Sequence, residues 1–286
     1  MDIQRLVLFF VFSFSLLLLW EAWQKELRPP VVAAPTTAGG VPAPSAPAAT
    51  TEEAKSQAVV LPSAAAAGAK TGERLRVRTD TMLAEIDTQG GDLMYLELLM
   101  HKDTRDEKKN FVLFGPEHRY AAQSGLIGEG LPNHRTLFHA SGREFSLAEG
   151  QDRLDVRLEA SSSNGVKVTK ILTFHRGTYR IDMVEEIVNG TAAALSTHAY
   201  FQLTRDGKSP GGDPYMAQSY TGAAVYTEQE KFKKVGFDDI AKGKAPYPKA
   251  PDNGWIAIIQ HYFVAALLPA EKAPREFYTR KLGDDL

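Results

Sequence analysis

The stretch RLDVRLEASSSNGVKVTKILTFHRGTYRIDMVEEIVNG, residues 153–190, decides the fold. Leu154, Val156 and Leu158 alternate with Arg153, Asp155, Arg157 and Glu159. Successive side chains of a strand point to opposite faces, so this pattern is a strand with one dry and one wet face. Asn164-Gly165 follows, a dipeptide suited to a type I′ hairpin turn, whose two central residues need positive φ. Val166 to Phe174 is the return strand. His175-Arg176-Gly177 turns the chain again, Thr178 to Val188 makes a third strand, and Asn189-Gly190 leads into a fourth that ends near Leu203. The expectation is an antiparallel meander.

The same period of two extends outward. Leu75 and Val77 alternate with Arg74, Arg76 and Arg78; Met82 to Ile86 follows, Gly90-Gly91-Asp92 turns, and Leu93 to Met100 is an apolar run. Downstream, Gly254 to Gln260 and Tyr262 to Leu268 read as two buried strands, and the charged stretch 228–241 as a short helix. Residues 73–286 are therefore expected to be mainly β, a large sandwich of two sheets.

Composition narrows the function classes. The chain has 286 residues with 33 Lys+Arg against 35 Asp+Glu, a net charge of −2, which argues against a nucleic-acid binder held by a broad basic surface. It has no cysteine, which excludes disulfide scaffolds, Cys-ligated metal sites, thiol catalysis and an N-terminal lipidated Cys.

The N-terminus is of another kind. Leu6 to Trp20 carries no charge, and as a helix continued to Trp23 it spans roughly 27 Å. That is short but adequate for a bilayer core of about 30 Å. Trp20 and Trp23 close it like an interfacial aromatic belt. A cleavable signal peptide is the rival reading, but no small-x-small site follows the apolar run, and bulky Trp20 and Trp23 stand where one is needed. The expectation is an uncleaved signal anchor over 6–23, with Leu6, Phe10, Phe14, Leu18, Trp20 and Trp23 as anchor residues and 1–5 as a short terminus. Residues 24–72 read as a linker: 29–72 are about half Pro plus Ala and bury too little to fold. A flexible coil of that length reaches roughly 35–40 Å.

The search for chemistry finds no catalytic residue, metal site or cofactor. Seven His, at 101, 118, 134, 139, 175, 198 and 261, form no metal-ligand spacing. Ser124 lacks a nucleophile elbow. Gly125 to Gly130 has the glycines of a phosphate loop but no Lys-Ser/Thr, and reads as a plain surface loop. Glu185, Glu186, Asp238 and Asp239 are adjacent carboxylates of the kind that is usually solvated. Asn189-Gly190-Thr191 fits a glycosylation acceptor less well than a hairpin turn. Lys231, Lys233 and Lys234 around Phe232 make a small basic patch, read as a wet face or as a contact for a partner or anionic headgroups.

Four motifs, in order, carry a resemblance. They are Met1-Asp2-Ile3-Gln4-Arg5 with the apolar run ending Trp20-Glu21-Ala22-Trp23; Thr88-Gln89-Gly90-Gly91-Asp92; Ala122-Gln123-Ser124-Gly125-Leu126; and Gly254 to Phe263. Together they resemble the N-terminal part of the YidC/Oxa/Alb family of membrane protein insertases, in its Gram-negative form. The resemblance implies a periplasmic β-supersandwich, similar to galactose mutarotase, behind one transmembrane helix whose N-terminus is cytoplasmic. It implies a place in the bacterial inner membrane, nascent membrane proteins as substrates, contact with the Sec translocon and its accessory subunits, and no cofactor. Insertion in such a family uses a hydrophilic groove on five further membrane helices, which lowers the penalty of placing polar segments in hydrocarbon. No groove residue has a counterpart here, so the expectation is a fragment whose missing terminal strands leave unpaired β edges. Two other readings stand beside it. One is a membrane-anchored mutarotase-like enzyme, needing a His such as His198 or His139 beside a carboxylate. The other is a single-span envelope adaptor.

Overall fold

The computed structural model describes Phe12, Trp20 and residues 72–103, 105–208, 220–260, 262–270 and 272–282. The expected anchor and linker lie outside the described residues, except for Phe12 and Trp20, which are helical and exposed, and Gly72 at the end of the linker. No helix among the described residues is long and apolar enough to cross a membrane. The chain divides into two units, Met1–Ser56 and Gln57–Leu286, and all the strands belong to the second.

The strands are β1 Arg74–Arg78, β2 Met82–Asp87, β3 Asp92–Lys102, β4 Asn110–Phe114, β5 Ala121–Ile127, β6 His139–Ala140, β7 Glu144–Ser146, β8 Arg153–Ser161, β9 Val166–His175, β10 Ile181–Asn189, β11 His198–Thr204, β12 Gly222–Thr227, β13 Lys231–Val235, β14 Trp255–Gln260 and β15 Phe263–Leu267. One short helix, α1, covers Phe237–Ala241. Sheet 1 runs β11-β5-β3-β2-β1-β7 with β4 also on β3; sheet 2 runs β10-β9-β8-β6; sheet 3 runs β13-β12-β14-β15. All pairings are antiparallel except that of β1 with β7.

Period-two alternation explains the core. On sheet 1, Leu75 and Val77 of β1 and Met82, Ala84 and Ile86 of β2 are almost wholly buried, while Arg74, Arg76 and Arg78 face water. On sheet 2, Val156 and Leu158 of β8 and Val166, Val168, Leu172 and Phe174 of β9 point into the same core. Burying each such side chain contributes about 1.5–3 kcal/mol.

Sheet 3 was not expected as a separate sheet. It is fastened to sheet 1 by both apolar and polar contacts. Phe263 stacks on Phe111 with ring centroids 3.8 Å apart. Arg205, whose side chain is buried, donates from Nε to Gln260 Oε1 at 3.2 Å and from Nη1 to the Asp206 carbonyl at 3.0 Å. Asp206 in turn pairs with His118 Nδ1 at 3.1 Å.

The meander holds for β8, β9 and β10 but differs in detail. Of Asn164 and Gly165 only the glycine has positive φ, at 91°. The Gly165 N–H donates to the Ser162 carbonyl, and Ser162 N–H donates to Val166, so the connection is a three-residue loop closed by a glycine bulge rather than a type I′ turn. β10 starts at Ile181 rather than Thr178, because the turn before it bonds elsewhere: Gly177 N–H donates to Asp80, and the Thr178 carbonyl accepts from Thr81. Asn189-Gly190 makes no hairpin. Asn189 Oδ1 accepts from Thr191 N–H and its amide donates to the Ala193 carbonyl, a side-chain turn that releases the chain to sheet 1. The fourth strand, β11, therefore pairs with β5 instead of β10.

The short helix expected within 228–241 is α1, at the end of that stretch, and Lys231–Val235 before it pairs with β12 as β13. Two further expectations are corrected. The first half of the glycine stretch at 125–130 is not surface loop but the end of β5, with Leu126 buried. The second of the two C-terminal strands, β15, is half exposed at the sheet edge, with Val264 at 55% exposure.

Gly254, the first residue of the fourth motif, shows why a glycine stands there. Its φ is 96°, and a Cβ added to it would lie 1.9 Å from the Tyr226 carbonyl oxygen. Gly254→Ala is expected to destabilise the domain by roughly 2–4 kcal/mol, read as a fall in the urea midpoint at unchanged m-value. A change below about 0.5 kcal/mol would contradict the close approach.

Candidate functional site

Two places combine unusual chemistry with defined geometry. The first is inside the sandwich. β9 buries Val166, Val168, Lys170, Leu172 and Phe174 on one face, so a lysine occupies an apolar register position. Lys170 is completely buried. Its Nζ donates to the Gly90 carbonyl at 2.6 Å and the Ser124 carbonyl at 2.7 Å, and stands 3.7 Å from Glu185 Oε1. It also lies 4.9 Å from the centre of the Phe138 ring. One charge from sheet 2 thus binds two backbone oxygens of sheet 1.

The surroundings are equally polar. Glu185 sits directly opposite Lys170 on β10, and its side chain is 3% exposed. The expectation of a solvated carboxylate at 185 is therefore corrected: the residue falls on the inward register of β10. Ser124 Oγ donates to Glu185 Oε1 at 2.9 Å. Gln123 Nε2 donates to Asp92 Oδ2 at 2.6 Å, and Gln202 Nε2 donates to Gln123 Oε1 at 2.8 Å. The Tyr200 hydroxyl accepts from His134 N–H at 3.2 Å and pairs with the His134 ring Nδ1. Two buried oxygens, Asp92 Oδ1 and Glu185 Oε2, have no hydrogen-bond partner.

The second and third sequence motifs meet here. Gly90 and Gly91 have φ of 82° and 66°, and a Cβ on Gly91 would stand 3.1 Å from Lys170 Cδ. Glycines in the β2–β3 turn leave room for the lysine to reach the Gly90 carbonyl. Gln123-Ser124-Gly125 supplies the opposite wall.

The electrostatics follow from burial. Burial pushes the Asp92 carboxyl up to about 7, against the pull of Lys170 and the Gln123 amide. Burial also pulls the Lys170 ammonium below its usual value, opposed by Glu185 and Asp92. Burial, with Arg135 and Lys170 nearby, lowers His134 to about 4. Tyr200 is pushed up to about 12 by burial.

The second place is the edge of sheet 3. Phe232 faces Tyr226, which faces Trp255, across three neighbouring strands. Tyr226 and Trp255 stack at 5.7 Å, and Phe232 is 6.2 Å from Trp255 and 47% exposed. The four residues Lys231, Phe232, Lys233 and Lys234 do not form one patch. β13 alternates, so Phe232 and Lys234 share one face while Lys231 and Lys233 share the other with buried Val235. Lys234 Nζ lies 4.7 Å over the Tyr220 ring, and Lys233 pairs with Glu230.

The candidate enzyme histidines do not assemble. His139 is on β6 of sheet 2 and His198 on β11 of sheet 1, both exposed, and neither bonds a carboxylate among the described residues. The histidines that do are His118, with Asp206, and His175, with Asp182 at 2.8 Å. No group able to hold a metal ion occurs among the described residues.

A family model described as the YidC periplasmic domain matches residues 74–286. The chain belongs to the YidC family. A "Membrane protein insertase YidC" of Aromatoleum aromaticum is 52% identical over 100% of this chain and 52% of its own length. Proteins of the same name from Dechloromonas aromatica and Nitrosospira multiformis are 48% and 45% identical, over 99% and 100% of this chain and 51% and 53% of theirs. The chain spans about half the length of these YidC relatives. Their names describe insertion rather than catalysis.

Lys170→Met removes the only ammonium in the polar centre and leaves Asp92 and Glu185 buried without it. It is expected to destabilise the domain by about 3–5 kcal/mol. Glu185→Gln added to it should cost much less than on its own, giving a coupling of about 1–3 kcal/mol in a double-mutant cycle. Additive losses would show that the pair does not act as a unit.

Proposed function

We propose that this chain forms the membrane anchor and periplasmic module of an insertase that aids insertion, folding and assembly of inner-membrane proteins, alone or with the Sec translocon. Identity of 52% across the whole chain to a protein named for that activity carries the reading. In this reading Leu6, Phe10, Phe14 and Leu18 lie in lipid, and Trp20 and Trp23 sit at the interface. The N-terminus is cytoplasmic, residues 24–72 are the tether, and 73–286 form a periplasmic β-supersandwich. The insertion step breaks no bond and needs no cofactor. A polar segment of the client enters the bilayer through a hydrophilic groove, and its apolar segment then partitions into lipid, driven by burial of its side chains.

The module's own contribution is contact. Phe232, Tyr226 and Trp255 offer a rigid aromatic surface, and Lys234 adds positive charge on the same face, while Lys231 and Lys233 carry theirs on the other face of the strand. Such a surface suits an accessory subunit of the translocon, because aromatic residues supply contact area at low entropic cost and lysines steer encounter.

Joining residues 1–286 to the C-terminal half of the Aromatoleum relative tests the whole reading. In cells depleted of their own insertase the chimera should restore insertion of a single-span client, seen as protease-protected fragments. Full membrane localisation of the chimera with no recovery would overturn it. A photocrosslinking residue at Phe232 tests the contact: adducts with translocon subunits should form and fall severalfold when Lys234, on the same face, becomes Glu. Adducts unaffected by that change would reject the basic face as the contact.

A further inference from the structure

We propose that the polar centre between sheets 1 and 2 is a built proton-binding site, in which Asp92 holds a proton so that one lysine balances one carboxylate. The geometry carries the idea. Lys170 is the single ammonium in the site, and two carboxylates, Asp92 and Glu185, are buried with it. Glu185 is the nearer, at 3.7 Å from Nζ. The backbone carbonyls of Gly90 and Ser124 take two of the three N–H groups of the ammonium, and the third is left toward Glu185, with none for Asp92. With both carboxylates ionised the interior would hold a net negative charge beside two unpartnered oxygens, Asp92 Oδ1 and Glu185 Oε2. A net charge in a low-dielectric interior costs more than a bound proton.

Asp92 is the carboxylate that takes the proton, because Glu185 already accepts from Ser124 Oγ and stands against Lys170. The groups facing Asp92 come from every neighbouring element. Asp87 of β2 raises its proton affinity; Lys170 of β9, and the Gln123 amide and Ser124 backbone N–H of β5, lower it. Glu185 of β10 faces Lys170, and Tyr200 of β11 and His134, flanked by Arg135, close the far side. Burial outweighs these opposing pulls and brings the carboxyl to about 7.

The consequence for stability has a definite sign. Asp92 binds its proton more tightly folded, near 7, than at its ordinary 3.8. The stabilisation from that proton is complete below the ordinary value and is lost as pH rises through the folded one. His134 acts oppositely: its value falls from 6.5 to about 4, so it costs stability as pH drops through that window. The two partly cancel in the total, which makes the difference between the native chain and Asp92→Asn the informative quantity.

The test uses the 286-residue chain purified in detergent and labelled with carbon-13 and nitrogen-15. Asp92, assigned by through-bond correlation of its carboxyl carbon to its own backbone amide, should titrate near neutral pH, well above the exposed aspartates. The ratio of native to Asp92→Asn folding constants should fall by up to tenfold per pH unit between about 4 and 7. Glu185→Gln should move the Asp92 midpoint down, since Lys170 then has one carboxylate to balance. An Asp92 midpoint near 4 in the native chain overturns the proposal, and that single titration decides it even where a variant fails to fold.

Discussion

The structure depends on a lysine that is shut away from water in the folded domain. Lys170 crosses from β9 to the β2–β3 turn and to β5, and its bonds to Gly90 and Ser124 tie sheet 2 to sheet 1 at one point. Dispersion and burial along Leu75, Ile86, Leu158 and Phe174 hold the sheets together, but such contacts tolerate sliding. A buried ammonium tolerates only its own set of acceptors. It therefore selects the register in which Gly90, Ser124 and Glu185 converge, much as single buried polar groups select register elsewhere. The aspartate beside it, the glutamines behind it and the glycines that make room for it are all consequences of placing that one charge there.

This arrangement gives the family motifs a physical meaning. Thr88 to Asp92 and Ala122 to Leu126 are separated by a hairpin and a short strand in sequence, yet they form facing walls of the same centre. Gly254 belongs to another constraint, the close passage of the β13–β14 connection over Tyr226. None of these residues touches a client or a partner in the reading advanced above. They keep the module rigid, and the partly exposed aromatic row of sheet 3 is the surface to which that reading assigns contact.

Much of this was legible. The alternation in β1, β2, β8 and β9 and the turns at Gly90-Gly91 and Gly177 appear where period and punctuation place them. The polar centre was legible in principle too: Val166, Val168, Lys170, Leu172 and Phe174 share one face, and a lysine amid four apolar residues on a dry face needs a partner. Glu185, on the inward face with Ile181 and Met183, is that partner, but strand register is needed to see that they are opposite. Three features were not legible, because each turns on a competition between local bonds. Ser162 closes its loop with a glycine bulge, Asn189 caps its own turn and frees β11, and Lys231–Val235 prefers the ladder of β12 to a helix. The layout of the basic stretch at 231–234 was hidden for a simpler reason. Four adjacent residues look like one cluster in a sequence and become two faces in a strand.

The order in which the chain is made gives Lys170 a temporal role. Its acceptor on the β2–β3 turn lies 80 residues earlier and the one on β5 lies 46 earlier. Sheet 1 cannot take its final form on synthesis, since β11 has yet to arrive beside β5. Contacts of such sequence separation form slowly, because loop closure is paid before they reward it. The charge then acts as a checkpoint: desolvating an ammonium is favourable only once both carbonyls and Glu185 are in place. A partly assembled sandwich keeps this lysine in water and its sheets apart, so closure of the core waits until β10 has brought Glu185 into place.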